Sequence, residues 1–233
     1  MTRRIKGLAR RALRRTVDIV LATLLVVQMC YQLLPEDFHA LLGVVMVAAA
    51  GVHIWLNGTW IRSLRTGRWG AARLLLAVCA GASLLLMASL AASGLVLSGI
   101  LPALRPLDGL ARAAHLSSSY LALLIFPLHA GFHAAKTLSR STNNVAKPAE
   151  KLGFAAWLLA SCVGIYEFFS LHIWDYVTLR MPFVLSAGAP LPVYLLEHAC
   201  VMALFAFLGS ALMRAASARG RRHTKSPAES TET

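Results

Sequence analysis

A helix needs about 20 apolar residues to cross a bilayer. Six stretches of this chain meet that length or come close to it: roughly 17–34, 38–60, 74–101, 111–135, 152–172 and 191–213. No room is left for a soluble domain, and only 14% of the residues are charged, against about 25% in soluble proteins. Mean hydropathy is +0.64. The expected fold is therefore an all-α polytopic membrane protein. Its body is a six-helix bundle over residues 17–213, with a basic N-terminus at 1–16 and a basic, polar tail at 214–233 that is expected to be disordered. The run from Val17 to Leu34 is longer than a typical signal-peptide core, and Leu33-Leu34-Pro35-Glu36 is no small-residue cleavage site. It is expected to be a retained first span.

A net charge of +13 in a soluble protein would point to nucleic acid. Here its distribution points to a membrane and not to a nucleic-acid partner. Of the 23 basic residues, 20 fall in the segment 1–15, the loops 61–73 and 136–151, and the tail after 213. With six spans, all of these lie on one side. Only Arg105, Arg112 and Arg180 fall on the other, among Glu36, Asp37, Asp108, Asp175 and Glu197. The positive-inside rule then puts both termini in the cytoplasm.

Ionisable residues within spans are rare and commonly functional. His39 and His53 are 14 residues apart in the second span, and His115 and His129 repeat that interval in the fourth. Fourteen helical residues turn through roughly 1400°, close to whole turns, and rise about 21 Å. Each pair therefore shares one helix face. The second and fourth spans run in the same direction, so depth matches His39 with His115 near the outer face and His53 with His129 near the inner face. Imidazole is a standard axial ligand of haem iron, and two such pairs suit two haems stacked across the membrane. The same residues are also consistent with a metal-ion or proton pathway, or with histidines that only bond neighbouring helices. His133 lies one turn beyond His129 on its face and is an alternative inner ligand. Pro127 is expected to kink the helix just before His129.

Small residues near these positions, Gly43, Gly51, Gly131 and the third-span run Ala91-Ala92-Ser93-Gly94, leave room for a flat macrocycle or for close helix packing. His172 and His198 border the longest outer connection. Within it, Trp174, Tyr176, Arg180 and Phe183 make an aromatic segment with one cation. It suits an interfacial belt, or a lid, quinol pocket or partner-docking surface over the outer site, with Arg180 as a propionate or partner contact. Cys30, Cys79, Cys162 and Cys200 lie in four different spans and form no CxxC or CxxCH. That argues against iron–sulfur ligation and covalent haem.

The two histidine pairs are similar to the diheme pattern of respiratory cytochromes b. The run His39-Ala-Leu-Leu-Gly43, followed by His53-Ile-Trp-Leu-Asn57 and Trp60, more closely resembles a group of small bacterial membrane proteins, the flavinylation-associated cytochromes. So do His115 followed by His129-Ala-Gly131-Phe-His133, and Gly164-Ile165-Tyr166 with Asp175-Tyr176 and Phe183. The likeness covers residues 15–213. It implies two non-covalent b-type haems in a bacterial cytoplasmic-membrane protein that exchanges electrons with an extracytoplasmic protein bearing covalent FMN. No flavin domain or dinucleotide fingerprint occurs in the chain, so it would need a donor such as membrane quinol. The expectation is an electron-transfer subunit rather than a stand-alone enzyme. The alternative is a histidine-lined metal-ion or proton transporter, a class that often uses helices broken near the midplane.

Overall fold

The computed structural model describes residues 2–66, 69–141, 147–184 and 188–225. Of the described residues, 87% are helical, and no strand occurs among them. In chain order the helices are α1 (Thr2–Met29), α2 (Glu36–Leu56), α3 (Gly58–Ser63), α4 (Ala71–Leu97), α5 (Asp108–Ser141), α6 (Pro148–Ser170), α7 (Ile173–Val177) and α8 (Leu191–Lys225). Short 3-10 segments occupy Tyr31–Leu33 and Pro102–Leu107.

Five helical stretches among the described residues are long and apolar enough to cross a membrane: Glu36–Leu56, Ala71–Leu97, Pro102–Ala135, Pro148–Ser170 and Leu191–Ala218. They make this a multi-pass membrane protein. Side chains that would be buried in a soluble protein lie open on the helix surfaces, Leu85 at 73% and Phe169 at 70% exposure. Such apolar surface suits lipid contact, since lipid tails solvate it as well as a protein core does.

The first stretch differs from its expected form. Helix α1 begins near the start of the chain and stops at Met29, so Arg14, Arg15 and Asp18 lie at its middle, directly before the apolar turns. With those charges it is not one of the five. The second stretch breaks earlier than expected. Asn57 leaves the helical run (φ −98°, ψ 9°), and its side-chain amide donates to the His53 carbonyl at 2.9 Å. Residues 58–63 then form the separate α3, where the sequence pattern ran unbroken to Trp60. At the far end, α8 continues as helix through Arg214 to Lys225, where a disordered tail was expected. Alanine and arginine are strong helix formers, and they dominate Arg214-Ala-Ala-Ser-Ala-Arg219. The rest of that tail, from residue 226, lies outside the described residues.

The chain divides into two compact units: residues 1–67, 86–121 and 173–198, and residues 68–85, 122–172 and 199–233. The first holds α1–α3, the later part of α4, the start of α5, α7 and the start of α8. Leu24, Leu25, Met46, Leu56, Ile173 and the aromatic Tyr120, Tyr176 and Tyr194 form its buried interior. Two backbone carbonyls close it locally: that of Leu56 accepts from Arg10 (3.2 Å) and Arg14, and that of Val177 accepts from Ser117 (2.7 Å). Both arginines thus cap the C-terminus of α2, where the helix dipole favours a cation.

The second unit packs helix against helix through glycine. A Cβ at Gly131 of α5 would overlap the backbone of Ala206 on α8. A Cβ at Gly164 of α6 would overlap Cys200, and one at Gly209 of α8 would overlap Leu128 of α5. Ser210 donates to the Gly131 carbonyl at 2.8 Å, and Ser161 and Trp157 both reach the Ala203 carbonyl, at 3.2 and 3.0 Å. Small residues that let backbones touch, with hydroxyls bonding across, hold helices together in lipid, where apolar burial supplies no drive.

Candidate functional site

His39 on the first turn of α2 and His115 on α5 both belong to the first unit, and the fold brings them together. Their ring centres lie 6.2 Å apart, with planes crossed at 70°. A metal–imidazole bond is about 2.0–2.1 Å long, and a ring centre sits a further ~1 Å behind the bonding nitrogen. Two imidazoles on opposite faces of one metal therefore have centres roughly 6 Å apart. The spacing of this pair fits an axial ligand pair.

The second nitrogens of both rings are also provided for. The Ser93 hydroxyl donates to the Ser89 carbonyl at 2.6 Å, which leaves its oxygen to accept from His115 Nδ1–H at 3.0 Å. That bond places the lone pair of His115 on Nε2, the atom free to ligate. Ser93 is buried, and one turn earlier Ser89 pairs with Ser118 at 2.8 Å, tying α4 to α5 on the same face. Gly94 leaves the ring uncrowded: a Cβ there would stand 3.7 Å from His115 Cε1.

His39 is held by α1. With its nitrogen turned inward, the Gln28 amide donates to the His39 carbonyl (3.3 Å) and Nδ1 (3.1 Å), while its oxygen accepts from the Gly43 N–H at 3.0 Å. The opposite orientation would set the amide oxygen against the His39 carbonyl and the amide nitrogen against the Gly43 N–H, so Nδ1 of His39 is the acceptor here. Tyr31 closes the other side edge-on, 5.2 Å between centres.

His53 occupies a different setting. Its Nδ1 lies 2.8 Å from Asp18 of α1, and its Nε2 lies 3.4 Å from the Asn57 amide. The carboxylate–imidazole contact is the arrangement that orients metal-bound histidines and raises their basicity. His53 belongs to the first unit, and His129 and His133 belong to the second. Within the second unit His129 and His133 stack edge-to-face with centres 5.1 Å apart; His129 is half-buried and His133 is exposed. Helix α5 runs unbroken through Pro127.

The same unit also buries polar side chains. Tyr120 stacks on Tyr176 at 4.4 Å, and His198 lies 1% exposed with Nδ1 on the Tyr194 carbonyl at 2.8 Å. The connection between α6 and α8 folds into the short α7, bracketed by two non-glycine residues in the left-handed region, His172 (φ 52°) and Leu179 (φ 56°). Ile173 and Tyr176 face inward, whereas Trp174 and Phe183 are exposed. Arg180 turns to Asp175 at 3.8 Å and is 72% exposed, so its nearest anion is one within its own segment. Among the described residues no three or more His, Cys, Asp or Glu cluster as a bare metal ion would require.

Sequence reasoning missed three partners of the histidines. Asp18 and Gln28 are polar side chains inside a mainly apolar first stretch, Asp18 its one charged residue, and that was the available signal. Ser93 appeared only as a small residue. Comparison with family models, with curated proteins and with solved structures finds no match.

Proposed function

We propose that this chain is a diheme b-type cytochrome of the bacterial cytoplasmic membrane. It would pass electrons between the two membrane faces through non-covalent haems, with an extracytoplasmic FMN-bearing protein or quinone as the outer exchange partner. Six spans with both termini in the cytoplasm complete this reading, α1 serving as the sixth. The observation that carries it is the His39–His115 pair, spaced for two axial ligands with Nδ1 of His115 already bonded. His39 and His115 would hold the outer haem. His53, bonded to Asp18, would be one ligand of the inner haem; the repeated 14-residue interval assigns the other to His129, with His133 as the alternative.

Haem bound at these residues supplies a one-electron iron couple. The chain does the rest. Ser93 keeps a proton on His115 Nδ1 and so keeps Nε2 available. Gln28 and Tyr31 fix the plane of His39. Tyr120, Tyr176 and Ile173 are buried in the same unit as His39 and His115; a dry interior there would limit solvent reorganisation around a changing charge.

The test is an oxidised and a dithionite-reduced absorbance spectrum of the purified full chain, with acid-acetone extraction of its pigment. The expected result is two extractable b-type haems per chain. A haem-to-protein ratio near zero refutes the proposal.

A further inference from the structure

The C-terminus of α2 opens onto a cavity of about 710 Å³ lined by Arg10, Ile54, Trp55, Thr59, Ile61 and Arg62, together with Gly58. It lies wholly within the first unit, and none of its lining residues is Asp or Glu. Its size falls within the roughly 300–1,000 Å³ of small-molecule sites. Two cations reach it from separate helices, Arg10 from α1 and Arg62 from α3. Arg10 is anchored, since it donates to the Leu56 carbonyl at 3.2 Å.

The rest of the lining is apolar. Ile54 and Trp55 belong to the last turn of a membrane-crossing helix, and Trp55 is 74% exposed. The cavity therefore sits where α2 leaves the hydrocarbon, at the depth of lipid headgroups. Tryptophan is enriched at that depth, and basic pockets beside spans hold anionic headgroups.

We infer that this cavity binds the headgroup of an anionic phospholipid, with Arg10 and Arg62 on the phosphate and Ile54, Trp55 and Ile61 against the glycerol and upper acyl chains. A soluble anion would use the arginines but not the apolar half of the lining. Thr59 adds a hydroxyl that can donate to a phosphate oxygen. The inference is independent of the histidine sites and stands whether or not haem binds.

The test is native mass spectrometry of the full chain in detergent, titrated separately with phosphatidylglycerol, phosphatidylcholine and inorganic phosphate. Wild-type protein should retain phosphatidylglycerol in clear preference to phosphatidylcholine. The R10Q/R62Q variant should bind it about fivefold more weakly per arginine lost, roughly 25-fold in all. R65Q/R73Q, which removes two charges that do not line the cavity, should behave as wild type. Equal retention of both lipids, equal weakening by both double variants, or displacement of phosphatidylglycerol by inorganic phosphate would each overturn the assignment. If R10Q/R62Q does not fold, the wild-type protein still decides it: retention of phosphatidylglycerol should fall at 0.5 M salt (a Debye length of ~4 Å) while that of phosphatidylcholine holds, and no salt dependence overturns it.

Discussion

His39 and His53 sit on one helix, a few turns apart, in opposite electrostatic settings. His39 is surrounded by neutral groups: the Gln28 amide, the edge of Tyr31 and the ring of His115. His53 has a carboxylate, Asp18, on its Nδ1. A nearby anion stabilises the more positive, oxidised state of a bound iron. Two haems held by chemically identical ligands would therefore differ in potential, with the one at His53 the lower. Electrons would then run downhill from the His53 end of α2 towards the His39 end, which under the proposed topology is outward. The same helix and the same ligand type acquire a direction from one residue of a neighbouring helix.

The largest expected effect breaks the comparison outright. His39→Ala or His115→Ala should lower haem content from two per chain to one, measured by pyridine haemochrome assay, and spare the low-potential signal. His53→Ala should spare the high-potential one. Loss of both haems in every variant would mean that the two sites fold as a single unit and cannot be compared separately.

Next in size is the charge itself. A hydrogen bond to a charged group contributes about 1.5–3 kcal/mol, and half of the Asp18 carboxylate is in solvent (54% exposed). Asp18→Asn should accordingly raise the lower potential by roughly 30–60 mV for one electron, with the upper potential unmoved. Spectroelectrochemical titration reads both at once. A fall, or an equal shift of both potentials, would detach Asp18 from the inner site.

Ser93→Ala sharpens the neutral side. It removes the acceptor of His115 Nδ1–H, and loss of such a partner costs about 10–100-fold in metal affinity. Haem should dissociate faster to a competing apoprotein, and Ser93→Thr, which keeps the hydroxyl, should restore retention. The smallest effect belongs to Arg180. Its exposed contact with Asp175 contributes at most about 1 kcal/mol, so Arg180→Ala should leave thermal stability and haem content unchanged within error. It should slow oxidation by an outer acceptor in stopped-flow measurements, most visibly at low salt, where exposed charges are least screened.

The histidine spacing was legible because a helix has a fixed period: 14 residues return to one face in any helix, whatever surrounds it. That His39 would meet His115 followed from the same periodicity plus the direction of the spans. What the sequence could not convey was the third dimension. Gln28 bonds His39 and Asp18 bonds His53 only because α1 lies against α2, and hydropathy says nothing of which neighbour a span packs on. The break at Asn57 was hidden for a related reason. Ile54, Trp55 and Ile61 continue the apolar pattern past it, while a single side-chain bond to the His53 carbonyl ends the helix. The basic start of α1 blurred the first span, because Arg14, Arg15 and Asp18 belong to the same helix as the apolar turns that follow.

The glycine seams of the second unit have a mechanical consequence. Helix α8 touches α6 at Gly164 and α5 at Gly131 and Gly209 with no side chain between the backbones. Sliding α8 by one residue in either direction would bring a residue with a Cβ, Leu208 or Ser210, to the place of Gly209 against the Leu128 carbonyl, so the seam acts as a catch on the axial position of the helix. Such a seam suits a rigid frame. A carrier whose halves must rock to expose a site alternately needs surfaces that slip, whereas an electron relay gains from fixed distances, since tunnelling falls steeply with every added ångström.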